Sequence, residues 1–182
     1  MKVIGICSSP RNGNSERMLA AAIKGCKESV AETELILLRT LKFSGCCGMD
    51  SCFHDAKCYM HDRLTAVLAA IEKADALILA SPSYFNNVTG LMKNFMDRSN
   101  PYCKNKKWKR KKAIVMAVGG ANMRSVKRCE AVMKDFCKIH GIMVFGSVCT
   151  VAEKIGKAEG KGSLLRKCHN LGAKFVKNME YL

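Results

Sequence analysis

Hydrophobic and polar residues follow one another along this chain as short apolar runs separated by amphipathic stretches. Five runs are apolar at successive positions and rich in β-branched residues, which is typical of strands buried on both faces of a parallel sheet. The predicted strands cover residues 3–7, 35–38, 76–80, 113–118 and 142–148.

Apolar residues between these runs recur at spacings of three and four, which predicts five amphipathic helices. The apolar stripes lie within residues 18–26, 64–71, 91–96, 126–136 and 164–175. Strict alternation of strands and helices predicts an α/β fold, a flavodoxin-like doubly wound five-stranded parallel sheet of order 2-1-3-4-5 with helices on both faces. The 182 residues suit a single domain, 1–182.

The order 2-1-3-4-5 also predicts where a ligand binds. Ligands of such sheets lie beyond the carboxyl ends of the strands, at the point where the strand order reverses. That point falls between the first and third strands. The loops that follow Cys7 and Ala80 are therefore the candidate binding loops.

Composition adds an expectation about location. The start of the chain has too short an apolar run for a signal peptide, and no segment has the roughly 18 apolar residues of a membrane span. Eleven cysteines are an odd number for a disulfide framework, and six of them occupy apolar periodic positions: Cys7, Cys26, Cys129, Cys137, Cys149 and Cys168. We expect these six to be small buried residues of a cytoplasmic protein that does not enter a membrane.

The net charge of +16 predicts attraction to anions. The densest basic run is residues 104–112, which we interpret first as a solvated loop that leads into a strand. A docking patch for an acidic partner or for an NADPH phosphate is the second interpretation. Nucleic acid is the least favoured partner, because the run lacks the repeated aromatic residues of a base-stacking surface.

The loop after the first strand, residues 8–15, has the chemistry of a phosphate site. It combines serine hydroxyls, the Arg11 guanidinium and the start of a helix, whose N–H groups and dipole attract anions. Asn14 is also suited to cap that helix. No G-x-G-x-x-G motif follows the strand and the chain has no G-x-x-x-x-G-K-[ST] motif, so neither usual nucleotide fingerprint is present.

Two further loops suit a flat ring. Tyr84 and Phe85 follow the third strand, together with the amides Asn86 and Asn87. Aromatic side chains at a strand end suit an aromatic ligand, and amides suit its polar edge. After the fourth strand, the pair Gly119-Gly120 permits close approach of the backbone to a ligand.

Several ordered motifs within residues 1–150 resemble the NADPH-dependent FMN reductase and iron–sulfur flavoprotein group. They are Ser9-Pro10-Arg11, Gly13-Asn14-Ser15, Ser81-Pro82-Ser83-Tyr84, Lys93-Asn94-Phe95-Met96-Asp97-Arg98 and Gly119-Gly120. The resemblance implies FMN as cofactor and a homo-dimer or tetramer. It also implies a phosphate held by Ser9, Arg11, Asn14 and Ser15, and an isoalloxazine ring against Pro82, Ser83, Tyr84, Phe85, Asn86 and Asn87, beside Gly119 and Gly120. One departure is that the first loop is one residue shorter between Arg11 and Asn14.

A cysteine-rich loop at about residues 43–62 follows the second strand. Cys46, Cys52 and Cys58 fall in the register of the group's cluster motif, whereas Met49 stands at the second cysteine position and Cys47 is displaced by two. Three interpretations stay open. Cys46, Cys47, Cys52 and Cys58 hold a [4Fe–4S] cluster; the site is degenerate, with free thiols or a disulfide; or the thiols bind zinc with His54 or His61 nearby.

The function we expect is that of an FMN-dependent oxidoreductase. Electrons or hydride would pass from NAD(P)H or a reduced, acidic ferredoxin to a small-molecule acceptor, because the flavin carries the chemistry and no catalytic triad or paired carboxylates are evident. The alternatives are a non-catalytic flavin electron carrier and, less favoured, a basic nucleic-acid-binding protein. The residues name no catalytic acid or base.

Overall fold

The computed structural model describes residues 1–152 and 162–179, and these form one parallel sheet flanked by helices. The strands are β1 (Lys2–Cys7), β2 (Glu32–Leu37), β3 (Ala76–Pro82), β4 (Lys112–Gly119) and β5 (Met143–Val151). All neighbouring strands are parallel, in the order β2-β1-β3-β4-β5. The predicted fold class and strand order are confirmed.

The helices alternate with these strands. They are α1 (Asn14–Glu28), α2 (Ser51–Asp55), α3 (Arg63–Lys73), α4 (Gly90–Arg98), α5 (Asn100–Lys104), α6 (Met123–Ile139) and α7 (Gly162–Lys177), with a 3-10 turn at Leu38–Thr40. The five predicted stripes correspond to α1, α3, α4, α6 and α7. The sequence pattern missed α2 and α5, because a helix of five residues is too short to repeat an apolar stripe.

Both edge strands differ in length from their predictions. Strand β2 begins three residues before the predicted start and ends at Leu37, since Leu38 enters the 3-10 turn. Strand β5 begins at Met143 and runs to Val151 rather than Val148. The reason is that an edge strand is only partly buried, so its polar residues lie outside a search for continuous apolar runs.

The sheet is buried on both faces. Helices α1 and α7 cover one face, where Met18, Leu19 and Phe175 pack against residues of β1, β3 and β4. Helices α3, α4 and α6 cover the other face, where Leu68, Phe95 and Met133 do the same. Five of the six cysteines predicted to be core residues are buried, and Cys149 on β5 is half-buried. Among the described helices, none has both the length and the apolar character that crossing a membrane requires.

Helices α1 and α7 approach each other closely enough for backbone contact. A Cβ atom added at Gly25 would overlap the carbonyl oxygen of His169, and one added at Gly172 would overlap the carbonyl oxygen of Ala22. Glycine at both positions therefore allows α7 to lie directly against α1 and to close one layer of the core.

The basic run at residues 104–112 is not the wholly solvated loop that we expected. Trp108 in its middle is fully buried, and Lys112 lies within β4 with only 5% exposure. The Trp108 ring packs 4.7 Å from the ring of His140 and 5.1 Å from that of Tyr102. One apolar side chain thus anchors the run to the core, while the surrounding lysines remain exposed.

His140 makes the stability of this core dependent on pH. Burial lowers the pKa of its imidazole to about 4, whereas the ring titrates near 6.5 in an unfolded chain. Stability is therefore fully present above pH 6.5 and declines as the pH falls towards 4, because only the unfolded state then takes up the proton. We expect the free energy of unfolding to be lower by about 2 kcal/mol at pH 5 than at pH 7 from this group alone.

Urea denaturation between pH 4 and 8 measures that decline. His140→Gln should flatten the curve between pH 5 and 7, whereas the control His61→Gln, which alters an exposed imidazole, should leave its slope unchanged. An equal slope in the His140→Gln variant would contradict the assignment.

Candidate functional site

The carboxyl ends of β1 and β3 are fastened together by hydrogen bonds between their loops. The Ser8 N–H donates to the Ala80 carbonyl oxygen at 3.0 Å. The Thr89 hydroxyl donates to the Ser8 carbonyl oxygen at 3.0 Å and accepts the Met92 N–H at 3.2 Å, which caps α4. The first and third loops are therefore held at a fixed separation.

The ends of β4 and β5 close the same region. The Ser83 N–H donates to the Val118 carbonyl oxygen at 2.7 Å, and the Ala152 N–H donates to that of Gly119 at 2.8 Å. The Asn14 side-chain amide donates to the Ala152 carbonyl oxygen at 3.2 Å. Our expectation that Asn14 caps α1 is wrong, because Gly13 is the N-cap residue and makes no side-chain cap. The Asn14 side chain instead ties the first loop to the end of β5.

These loops enclose a cavity of about 110 Å³ at the predicted switch point of the sheet. Nine of the twelve residues predicted to bind the cofactor line it: Ser9, Arg11, Asn14, Ser15, Pro82, Ser83, Tyr84, Gly119 and Gly120. Gly13, Val118 and Ala152 complete the lining. No sequence motif pointed to Ala152, since it follows β5, three strands along the sheet from β1, and only the folded sheet brings it there.

The side of the cavity formed by the first loop and the start of α1 has the features of an anion site. Ser15 is buried in the first turn of α1, where the N–H groups of the helix and its dipole favour negative charge. The Ser9 hydroxyl donates to the Arg11 carbonyl oxygen at 2.6 Å and accepts the Arg11 N–H at 3.3 Å. Ser9 therefore shapes the turn, while the exposed Arg11 side chain is free to approach a phosphate.

Phe85, Asn86 and Asn87 do not line this cavity. Tyr84 and Asn87 exchange two backbone hydrogen bonds, at 2.9 and 3.0 Å, and so form a tight turn with Phe85 and Asn86 at its tip. Both tip residues have positive φ, 50° and 63°, as in a type I′ turn. The Phe85 side chain is fully exposed at the tip of this turn.

The backbone at Phe85 is strained, because an L-residue other than glycine disfavours positive φ by about 1–2 kcal/mol. We expect Phe85→Gly to raise the free energy of unfolding by about 1 kcal/mol, or the Tm by about 2–4 °C. Phe85→Ala removes the ring and keeps the strain, so it should change the Tm by much less. A Tm that rises equally in both variants, measured by calorimetry, would assign the effect to the exposed ring instead.

The four cysteines of the cysteine-rich loop line a second cavity, of about 120 Å³. Cys46, Cys47, Cys52 and Cys58 share it with Met49, Tyr59, Met60, Asp97, Arg98 and Pro101. The structure contains no disulfide among them. In the parts of the chain that are described, no three His, Cys, Asp or Glu side chains form a ready-made site for a metal ion. Arg98, the last residue of the Lys93–Arg98 motif, was not among the predicted site residues.

The chain is similar in sequence to known flavoproteins. Residues 1–156 match the family described as NADPH-dependent FMN reductase. An iron–sulfur flavoprotein of Methanocaldococcus jannaschii is 31% identical over 180 residues, which are 98% of this chain and 93% of that protein.

Two solved structures have the same fold. One is a flavone reductase, with a TM-score of 0.78 and 22% identity over 99% of this chain and 64% of that chain. The other is a flavodoxin from the domain Archaea, with a TM-score of 0.66 and 16% identity over 99% of each chain. At these identities the likeness extends to the fold alone.

Proposed function

This chain belongs to the NADPH-dependent FMN reductase family, and from that premise we propose that it transfers electrons or hydride from NAD(P)H or a reduced ferredoxin to a small acceptor through bound FMN. The family resemblance carried by the sequence motifs is confirmed. FMN would supply the redox chemistry, and the protein would supply its position and its electrostatic surroundings. The observation that carries the proposal is the cavity at the carboxyl ends of β1, β3 and β4.

The size of that cavity suggests which part of FMN it encloses. Ligand pockets commonly have volumes of about 300–1,000 Å³, whereas this one has about 110 Å³. We therefore assign the phosphate to the enclosed end beside Ser15 and the start of α1. We assign the isoalloxazine ring to the open side, against Tyr84 and the turn that carries Phe85.

The large positive charge supports an acidic donor. A net charge of +16 attracts acidic proteins and phosphorylated nucleotides alike, and attraction of this kind raises association rates at low salt. A reduced ferredoxin and NAD(P)H therefore both remain donors in this proposal. A homo-dimer or tetramer and a cytoplasmic location are parts of the same proposal.

The donor set of the second cavity fits an iron–sulfur cluster. Four cysteines line one small cavity, and thiolate sulfur is the ligand that such clusters require. We propose that Cys46, Cys47, Cys52 and Cys58 hold a [4Fe–4S] cluster. Zinc is the alternative occupant, because thiolates are also its ligands, and metal analysis distinguishes the two.

Anaerobic purification followed by absorption spectroscopy and metal analysis tests for both bound FMN and the iron–sulfur cluster. We expect one FMN per chain, a broad shoulder near 400 nm, and about four iron and four sulfide per chain. Oxidation of NADPH, NADH or reduced ferredoxin with a quinone acceptor then tests catalysis.

A chain that neither retains nor takes up FMN would refute the flavin function. Retained FMN without turnover by any donor would favour the electron carrier, and flavin without iron would remove only the cluster.

A further inference from the structure

Arg98, the last residue of α4, is a buried arginine that joins the two ends of the cysteine-rich loop. Its side chain is 1% exposed. One terminal nitrogen donates to the Ser44 carbonyl oxygen at 2.9 Å. The other lies 3.4 Å from the Met60 carbonyl oxygen and 3.1 Å from the Thr65 hydroxyl. A single guanidinium thus contacts the chain before Cys46 and again after Cys58.

Asp62 fixes the orientation of this guanidinium. Its two carboxylate oxygens accept hydrogen bonds from the two terminal nitrogens of Arg98, at 2.8 and 3.1 Å. The bidentate arrangement restricts the plane of the guanidinium group. Burial alone would raise the pKa of Asp62, but hydrogen bonds from Arg98 and from the Ser44 N–H lower it to about 2, so the pair is ionic at neutral pH.

Arg98 also lines the cavity that the four cysteines share. Its buried positive charge is balanced by the ion pair with Asp62, at 2.8 Å. The Nε–H of Arg98 is buried and has no hydrogen-bond partner within the described residues. A buried N–H without an acceptor is costly, so an acceptor within the cavity would relieve it.

We propose that Arg98 is a positioning residue that closes the cysteine-rich loop and sets the reduction potential of the cluster held there. The inference rests on the cluster of the proposed function. Positive charge and hydrogen bonds at the sulfur atoms favour the reduced, more negative form of a cluster. Arg98 supplies the charge and one spare N–H, and Asp62 partly offsets the charge.

Two substitutions of opposite electrostatic sign distinguish this role from a structural one. Arg98→Gln removes the positive charge, whereas Asp62→Asn removes the compensating negative charge and retains a residue able to cap α3. In the FMN-bound protein with its cluster, potentiometric titration followed by EPR should show reduction about tenfold less favourable in Arg98→Gln. For a one-electron couple that is a potential about 59 mV lower. Asp62→Asn should shift the potential upward.

Unchanged potentials, or shifts of the same sign in both variants, would overturn the proposal. Arg98→Lys is a second variant for the same potential measurement, and it is used alone if Arg98→Gln does not fold. It keeps the charge and loses the bidentate contact, so its potential should lie between those of the wild type and Arg98→Gln. Iron and FMN contents are measured alongside. A wild-type chain that holds FMN and no iron overturns the inference and leaves the flavin function standing.

Closure of the cysteine-rich loop by Arg98 can be tested separately, by a proteolysis rate that does not depend on a bound cluster. Lys57 is exposed within the loop, and trypsin cleavage after it can be followed by mass spectrometry in the FMN-bound protein. We expect cleavage at least tenfold faster in Arg98→Gln than in the wild type. The matched control is Lys93→Gln, which breaks an exposed ion pair with Asp97 on the same helix. Equal rates in the two variants would overturn the closing role.

Discussion

Replacing Ser15 by aspartate is expected to weaken FMN binding at least about 100-fold and to leave the fold intact. The residue is buried in the first turn of α1 and lines the cavity. Two unit charges 4 Å apart near a protein surface interact by about 4 kcal/mol, and the loss of 100-fold in affinity needs only about 2.8 kcal/mol. A carboxylate at a helix N-terminus is itself stabilising by about 0.3–1 kcal/mol, so the Tm should not fall with the affinity.

Riboflavin lacks the phosphate, so its binding distinguishes repulsion of the phosphate charge from a steric change in the cavity. Calorimetric or fluorescence titration should give a large loss of FMN affinity in Ser15→Asp and a small loss in Ser15→Ala. Riboflavin should bind to both variants with similar affinity. An equal loss of riboflavin and FMN affinity in Ser15→Asp would mean that the phosphate lies elsewhere.

Gly172→Ala is expected to have the largest effect on stability. The new methyl group would overlap the Ala22 carbonyl oxygen, and this neighbour is main chain that cannot rotate away. Overpacking of this kind commonly costs about 1–3 kcal/mol, and we expect the upper end or more because two helix backbones must separate. The Tm should fall by about 6–12 °C, at about 2–4 °C for each kcal/mol in a chain of this size.

Gly90→Ala is the matched control for that experiment. It places the same methyl group at the first residue of α4, where no atom lies within 4 Å. Calorimetry should show a change of less than about 0.5 kcal/mol for this exposed position. A similarly small change in Gly172→Ala would show that the backbones of α7 and α1 are not in close contact at this position.

The architecture was predictable from the sequence because its determinants are local. Strands that are buried on both faces have to be apolar at every position, and β1, β3 and β4 satisfy this rule. The edge strands β2 and β5 follow it only in part, and their bounds were missed. The two short helices α2 and α5 were missed for lack of length.

The candidate site was predictable where its residues lie at strand ends that the sheet order brings together. Ser9 and Ser15 follow the end of β1, and Gly119 ends β4. Ala152 and Arg98 reach their sites from other elements, through hydrogen bonds between segments that are distant in the sequence. Whether the Phe85 side chain lines the cavity or lies in solvent also depends on tertiary structure, because the sequence pattern of two adjacent aromatic residues is the same in both cases.

Helix α4 connects the two candidate sites mechanically. Thr89 fastens its beginning to the Ser8 carbonyl oxygen of the phosphate loop, and Arg98 fastens its end to both ends of the cysteine-rich loop. Its nine residues span about 13 Å, at 1.5 Å each. Because a helix neither stretches nor compresses easily, it acts as a spacer of constant length between the two sites. A single residue inserted into it would turn Arg98 by about 100° around the helix axis, away from the cysteines.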